Sequence, residues 1–454
     1  MKDNPYADLP QIEILLTRPE VGKWFPLLSR PYVSLLCSQV LEKERDKIRQ
    51  ENTSPGIDSI LDQVEHVCRS FAAKRLQRVV NATGIVLHTN MGRSPVPESI
   101  WKRAEAVNTG YSSLEFDLER GKRGHRGGIV SQLLCLLTGA EAALVVNNNA
   151  AAVYLILNAL AKGKEVVVSR GEQVQIGGGF RIPDILAQSG ACLVEVGTTN
   201  ITSVQDYIDA VTDRTGMALS VHPSNFFIKG FTGKPDLAEL ARALPEGVIL
   251  TVDQGSGVTT EQIQGEFSAL HAVKAGAHLV CFSGDKVFGG PQAGIIVGKA
   301  DLIEILGKHP LMRIIRPGKT VFSLLQEFLL AKLNKNCSSF VEQVLNLSEK
   351  ELTARGREIL SGLDSGSFTV VPSTILAGGG SSPEKELPSQ SIRIELPVSP
   401  DSLLRRLRNY SPPVIGTIKD NAVLLNLATL LPNDVKYLRN VLKNLSSTIL
   451  KEEN

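Results

Sequence analysis

The stretch that decides the fold is Ser283-Gly284-Asp285-Lys286-Val287-Phe288-Gly289-Gly290-Pro291-Gln292-Ala293-Gly294. Apolar runs flank it at residues 279–282 and 294–297. Each run is short and is rich in β-branched residues or bounded by glycine, which is typical of a buried strand. The stretch therefore predicts a single lysine in a glycine-rich loop between two buried strands.

Lys286 has two interpretations. Burial lowers the pKa of a lysine and leaves some neutral amine at pH 7, which attack on an aldehyde requires. Glycines let the backbone come close to a bound cofactor. The functional interpretation is a lysine that forms a Schiff base with pyridoxal phosphate. The alternative is an ordinary hairpin loop with a lysine on the surface.

Short apolar runs alternate with helical patterns between about residues 80 and 330. Runs that are apolar throughout suit a sheet covered on both faces, and their alternation with helices predicts a mostly parallel α/β sheet. Ligands of such sheets bind beyond the carboxyl ends of the strands. The predicted strands lie at residues 143–146, 165–168, 193–196, 218–221, 249–252, 279–282 and 294–297.

The length of 454 residues predicts two or three domains. Residues 1–80 show helical patterns and predict a small helical N-terminal domain. Residues 81–334 form the predicted α/β domain, and residues 335–454 a smaller α+β domain with a helix expected at 342–360.

Two polar segments follow predicted strands. Asp253 ends one strand before a glycine turn, where its carboxylate can pair with the pyridine nitrogen of the cofactor and keep it protonated. Asn148 and Asn149 open a predicted helix, whose free N–H groups and dipole make a phosphate seat. Ser283 adds a hydroxyl three residues before the lysine. The alternatives are a turn aspartate and a capped helix that binds nothing.

Several arginines lie in predicted loops. Guanidinium groups suit phosphate-like oxyanions, although each arginine can also be a surface or ion-paired residue. These arginines are Arg93, Arg123, Arg126, Arg313 and Arg316.

Composition excludes some classes of function. The chain has 49 basic and 47 acidic residues, so no strong global charge points to nucleic acid. Its six cysteines contain no Cys-x-x-Cys pair, so no metal site is predicted. The absence of a signal-peptide pattern and of a membrane-length apolar run predicts a cytoplasmic protein.

The chain resembles a known family in many separate blocks. These are Asn81-Ala82-Thr83-Gly84-Ile85-Val86-Leu87-His88-Thr89-Asn90-Met91-Gly92-Arg93, residues 114–126, Asn147-Asn148-Asn149-Ala150, Ser169-Arg170-Gly171-Glu172, Gly197-Thr198-Thr199-Asn200, residues 282–294 and Pro310-Leu311-Met312-Arg313. In these blocks the sequence is similar to bacterial selenocysteine synthase, the L-seryl-tRNA(Sec) selenium transferase family.

The resemblance implies the large domain of fold-type-I pyridoxal phosphate enzymes, with Lys286 as the Schiff-base lysine. It implies that Arg93, Arg313 and Arg316 line the pocket of the donor, selenophosphate, and that Arg126 and Asp285 are further members of it. It also implies that the substrate is seryl-tRNA(Sec), that the N-terminal domain binds the tRNA, and that the subunits form a homo-oligomeric ring of dimers with sites at their interfaces.

The sequence departs from the family pattern at three places. Pro317-Gly318-Lys319 lacks an expected acidic residue, and Ala428 and Thr417 stand where an arginine and a basic residue are usual. Two other functions stay open. One is a pyridoxal phosphate-dependent lyase or transferase acting on a free amino acid, and the other is a non-catalytic tRNA-binding scaffold.

Overall fold

The computed structural model describes residues 6, 9–51, 53, 55–176, 179–222, 226, 228–260, 267–336, 338–364, 366–378 and 381–452. The chain divides into two compact units, residues 1–78 and 79–454. The further predicted boundary between residues 334 and 335 stays a prediction.

The first unit is helical, as predicted. Leu36 and Val64 are buried where the apolar faces of the two long helices meet, and Leu15 of the first short helix belongs to the same core. Because the apolar residues recur at helical spacing, each of these helices buries one face. The helices are Ile12–Leu16, Pro19–Gly22, Phe25–Leu28, Arg30–Glu51 and Ile57–Ala73.

The second unit is built on a seven-stranded sheet, and all seven predicted strands are present. We label them in chain order as β1 Ala142–Val146, β2 Glu165–Ser169, β3 Cys192–Val196, β4 Thr215–Val221, β5 Ile249–Gly255, β6 Leu279–Ser283 and β7 Gly294–Gly298. Their spatial order is β1-β7-β6-β5-β4-β2-β3. Only β7 runs antiparallel to its neighbours, and the other pairs are parallel, which confirms the predicted mostly parallel sheet.

Apolar cores cover both faces of this sheet. Phe282 and Ile295 belong to one core, and Cys281 and Ile296 belong to another, because successive residues of a strand point to opposite faces. The surrounding helices are Glu98–Thr109, Val130–Thr138, Asn149–Leu160, Ile182–Ser189, Val204–Asp209, Leu237–Ala243, Ala269–Lys274, Ala300–Lys308, Met312–Ile315 and Lys319–Leu333, with short 3₁₀ helices at Thr89–Met91 and Arg170–Glu172. Two small hairpins pair Phe116–Asp117 with Lys122–Arg123 and Gln175–Ile176 with Phe180–Arg181.

A second sheet of five strands lies in the C-terminal region. Its order is Thr417–Lys419, Ala422–Asn426, Ser381–Ile394, Phe368–Gly378 and Ile85–Leu87. One edge strand of this sheet, Ile85–Leu87, comes from the beginning of the second unit. The neighbouring residues Val80–Asn81 pair with Val414–Ile415 in a separate two-stranded sheet. Residues 80–87 therefore pair with strands of the C-terminal region. The helices of this region are Phe340–Leu345, Glu349–Leu360, Pro400–Arg408 and Pro432–Glu452.

The predicted helix at 342–360 is two helices rather than one. Ser348 accepts a hydrogen bond from the N–H of Glu351, and the Glu351 carboxylate accepts from the N–H of Ser348. This capping box starts a new helix, because a serine side chain satisfies N–H groups that lack a partner at a helix start.

Gly294 at the start of β7 sets how closely the sheet approaches the loop after β1. A Cβ on Gly294 would lie 2.1 Å from the main-chain oxygen of Asn148. We expect Gly294→Ala to lower the free energy of unfolding by about 1–3 kcal/mol, because backbone atoms must move apart. Thermal or urea unfolding measures it.

The matched control is Gly307→Ala, in the helix Ala300–Lys308, where a Cβ meets nothing within 4 Å. It should leave stability unchanged or raise it. Equal stability of the two variants contradicts the close approach at Gly294.

Candidate active site

Lys286 lies in the loop between β6 and β7 and is buried, with 6% of its surface exposed. The loop closes on itself through hydrogen bonds from Gly284 N–H to Ala293 O (2.8 Å) and from Gly290 N–H to Gly284 O (2.8 Å). Gly289 adopts φ +83°, a conformation that favours glycine. The interpretation of a surface lysine is therefore wrong, because the backbone holds this residue inside the protein.

Asp253 lies near the carboxyl end of β5, two residues before its last residue, and is also buried. Asn149 Nδ2 donates to its Oδ1 at 2.8 Å, and the Cys281 thiol donates to the same oxygen at 3.7 Å. Burial raises the pKa of this carboxyl, while the bond from Asn149 and the charge of Lys286 oppose the rise. The predicted pair of Lys286 and Asp253 is thus brought together at the carboxyl ends of neighbouring strands.

The two predicted asparagines have different contacts. Asn148 caps the helix Asn149–Leu160 by accepting from Ala151 N–H at 2.8 Å. The side chain of Asn149 instead turns to Asp253. The predicted phosphate seat therefore rests on the backbone N–H groups at the helix start. Ser283 is buried at the end of β6, opposite Gly294 in the ladder.

Arg93 and Asp285 form an ion pair beside the lysine. Arg93 Nη1 donates to Asp285 Oδ2 at 2.9 Å, and Ser94 N–H donates to Asp285 O at 3.2 Å. The pair borders a cavity of about 460 Å³. The buried Ser94 Oγ has no hydrogen-bond partner among the described residues, so a polar ligand atom suits this cavity. The residues that line it are Thr89, Gly92, Arg93, Ser94, Val96, Asp285, Gly290, Pro291 and Gln292.

Arg126 and Arg316 converge on one carboxylate, Glu115. Arg123 donates to its other oxygen at 3.1 Å. Arg313 is exposed, and its side chain makes no hydrogen bond or ion pair within the described parts of the chain. Sequence analysis missed Glu115, although its position in the resembling block 114–126 was the one available signal.

These positions fit pyridoxal phosphate. Lys286 offers a buried amine, and the bonds to Asp253 that involve described residues reach Oδ1, which leaves Oδ2 for a ring N–H. The buried Oδ1 of Asn149 has no partner in the part of the chain that the structure describes. Buried polar atoms are normally hydrogen-bonded, so this oxygen also points to a polar ligand.

Glu172 supports the strand next to Asp253. Its carboxylate accepts from Val221 N–H at 2.9 Å and from Ser220 Oγ at 3.2 Å, and Val221 pairs with Asp253 in the sheet. Burial raises the pKa of Glu172 from 4.5 to about 7. This buried acid therefore titrates near neutral pH, at a strand end that borders the site.

Glu172→Gln should change how stability depends on pH. The folded chain holds a proton that the unfolded chain releases between pH 4.5 and about 7, so wild-type stability falls as pH rises through this range. Glutamine keeps an acceptor for Val221 but does not titrate. The variant should gain up to about 3 kcal/mol relative to the wild type between pH 5 and pH 8. Unfolding at several pH values measures this.

The control is Glu195→Gln, an exposed glutamate on β3. It should shift stability by a similar amount at every pH. A difference between Glu172→Gln and wild type that does not change with pH contradicts the raised pKa.

The fold has a counterpart among solved structures. D-glucosaminate-6-phosphate ammonia-lyase aligns with a TM-score of 0.58 at 17% identity, over 83% of this chain and 97% of that chain. This likeness concerns the fold, and it agrees with the predicted large-domain architecture.

Whole-length relatives carry one name. The L-seryl-tRNA(Sec) selenium transferase of Geobacter sulfurreducens is 42% identical, covering 97% of this chain and 99% of its own. Those of Caldanaerobacter subterraneus subsp. tengcongensis and Aquifex aeolicus are 41% and 37% identical, covering 97% and 94% of this chain and 98% of their own lengths. The family model "SelA: L-seryl-tRNA selenium transferase" matches residues 79–431. The chain therefore belongs to the L-seryl-tRNA selenium transferase family.

Proposed function

We propose that this chain converts seryl-tRNA(Sec) to selenocysteinyl-tRNA(Sec), with pyridoxal phosphate as cofactor and selenophosphate as selenium donor. The observation that carries the proposal is the burial of Lys286 next to Asp253 at adjoining strand ends, in a chain of this family. A buried amine close to a buried carboxylate is costly to maintain without a function.

Each residue of the site has a separate role in the proposed reaction. When bound, the cofactor supplies an aldehyde that reacts with amines and a ring that takes up the electron pair left on a neighbouring carbon. Asp253 Oδ2 would accept the N–H of that ring. The helix start at Asn149 would bind the phosphate through backbone N–H groups. Lys286 Nζ would take the proton from Cα of the seryl group and return it to the β-hydroxyl, which would then leave as water.

The selenium donor binds beside this centre. Arg93 and Ser94 border the cavity next to Lys286, and Arg313 and Arg316 lie on the segment that follows β7 and its helix. Asn147 N–H donates to Ile315 O at 2.9 Å, which joins this segment to the phosphate seat. Several guanidinium groups suit a donor that carries a phosphate charge.

The substrate is an aminoacyl ester rather than a free amino acid. A free amino acid needs a cation for its carboxylate, whereas an ester does not. Ala428 is buried at the position where the family resemblance implies an arginine, and it offers no such cation. This favours seryl-tRNA over the alternative of a lyase or transferase for free amino acids.

The wider setting of the enzyme follows from the same proposal. Residues 1–80 bind the tRNA by shape and local contacts, since this segment has no strong basic charge. The subunits form a ring of dimers in the cytoplasm. Exposed apolar side chains on the catalytic unit, among them Tyr111, Leu118 and Ile314, suit burial against another subunit. The described part of the chain contains no helix long and apolar enough to cross a membrane.

A turnover assay tests the substrate. With selenophosphate present, the purified protein should convert seryl-tRNA(Sec) and leave free serine unchanged. Lys286→Ala should lose the near-ultraviolet to visible Schiff-base band and lower turnover by about a hundred-fold or more, because the base is gone. Lys308→Ala, at an exposed helix end, is the control.

Turnover of free serine in preference to seryl-tRNA(Sec) contradicts the proposed substrate. A Schiff-base band that survives in Lys286→Ala contradicts the assignment of the lysine. A purified wild-type protein without the band favours the scaffold alternative.

Arg313→Gln tests the donor site. A charge-assisted hydrogen bond contributes about 1.5–3 kcal/mol, so its loss should raise the KM for selenophosphate about ten-fold or more. The absorbance band should stay, because Asp253 and the phosphate seat are untouched. Arg357→Gln, an exposed arginine in the helix Glu349–Leu360, should change neither value. An unchanged KM in Arg313→Gln removes this residue from the donor site.

A further inference from the structure

Glu115 is the centre of an arginine cluster. Arg126 and Arg316 donate to its Oε1, the latter at 3.1 Å, and Arg123 donates to its Oε2 at 3.1 Å. The backbone of Glu115 is fixed as well, because its carbonyl accepts from Gly124 N–H at 3.0 Å. A carboxylate with three guanidinium partners and a fixed backbone is a rigid anchor.

Arg126 is bound on two further sides. Its Nε and Nη2 both donate to Pro317 O, at 3.1 and 2.6 Å, and its guanidinium lies over the ring of Phe322 with 5.9 Å to the centroid. Gly127 makes this packing possible, since a Cβ there would lie 2.4 Å from the Phe322 ring. Arg126 therefore joins the loop of Glu115 to the residue directly after Arg316.

The segment that carries Arg313 and Arg316 depends on such external contacts. Its helix, Met312–Ile315, is a single turn, and so short a helix is unstable by itself. Proline follows at position 317 and has no N–H to donate. Three contacts hold the segment. Asn147 N–H donates to Ile315 O, Arg316 donates to the Glu115 carboxylate, and Arg126 donates to Pro317 O.

We propose that Glu115 is a positioning residue that acts through Arg126 and Arg316 to hold the 312–317 segment in place for the phosphate-like donor. The donor part of this inference rests on the proposed function, whereas the holding of the segment does not. Glu115 does not touch the reacting atoms, and its carboxylate stays ionised because the arginines lower its pKa.

Positioning and simple charge make opposite predictions. Glu115→Gln removes a negative charge from among three arginines. If charge alone mattered, an anion would bind more tightly to the variant, because the attraction increases. If Glu115 positions the arginines, the anion binds more weakly, because the guanidinium groups no longer converge.

The experiment uses the holoenzyme and inorganic phosphate as the probe. We expect Glu115→Gln to raise the dissociation constant of phosphate and the KM for selenophosphate about five-fold or more, with a smaller change in kcat and an unchanged absorbance band. Amide hydrogen exchange within residues 312–318 should become about ten-fold faster or more, because the segment loses its anchor.

Glu119→Gln is the matched control. Glu119 lies in the same hairpin and is exposed, and no arginine of the described chain forms an ion pair with it. This variant should match the wild type in every measurement. Arg126→Lys keeps the charge but cannot make all the bonds of the fork, so it should behave like Glu115→Gln. The double variant should be no worse than either single variant, since both remove the same anchor.

Each outcome decides a separate point. Unchanged exchange in residues 312–318 overturns the positioning role. Faster exchange with unchanged or tighter phosphate binding supports the anchoring role and overturns its link to the donor, whereas the donor site of the proposed function is decided separately by Arg313→Gln. If Glu115→Gln does not fold, Glu115→Asp and Arg126→Lys replace it. Both keep the charge, so charge alone predicts unchanged phosphate binding. The shorter carboxylate side chain and the loss of the guanidinium fork predict weaker binding if Glu115 is a positioning residue.

Discussion

A lysine and a carboxylate are buried together at the ends of β5 and β6, and the rest of the site depends on this pairing. Burying either charge alone is costly, and burying both is tolerated only where hydrogen bonds and the opposite charge compensate. Asp253 receives that compensation from Asn149 and from the charge of Lys286. The loop of Lys286 is in turn held by Val287 N–H on Ser256 O at 2.9 Å, so the two strand ends are joined through the backbone.

The same rule explains how the arginines are arranged. Arg93 pairs with Asp285, and Arg126 and Arg316 pair with Glu115. Guanidinium groups held close together without counter-charges repel one another, so a carboxylate between them stabilises a fixed array. The prediction that these three arginines are ion-paired is therefore confirmed. Their contact with the selenium donor stays a proposal. The array remains net positive, which suits an anionic ligand.

Sequence analysis predicted a large part of this architecture. Short, mostly apolar runs identified all seven strands of the central sheet, because the strands of a sheet covered on both faces are apolar along most of their length. Lys286 and Asp253 were found because each lies close to glycines shortly after a predicted strand. The single predicted helix at 342–360 was wrong, since apolar spacing continues across Ser348 and hides the capping box that divides it.

The amino-acid sequence by itself determined the strands, the lysine loop and the family, because each is written in contiguous residues. The tertiary structure alone decided which polar groups meet. Asn149 reaches Asp253 across 104 positions, Arg316 reaches Glu115 across 201, and Ile85–Leu87 joins a strand at Phe368–Gly378. Contacts between residues so distant in sequence arise from the packing of whole elements, so no local pattern of hydrophobicity, charge or turn residues records them.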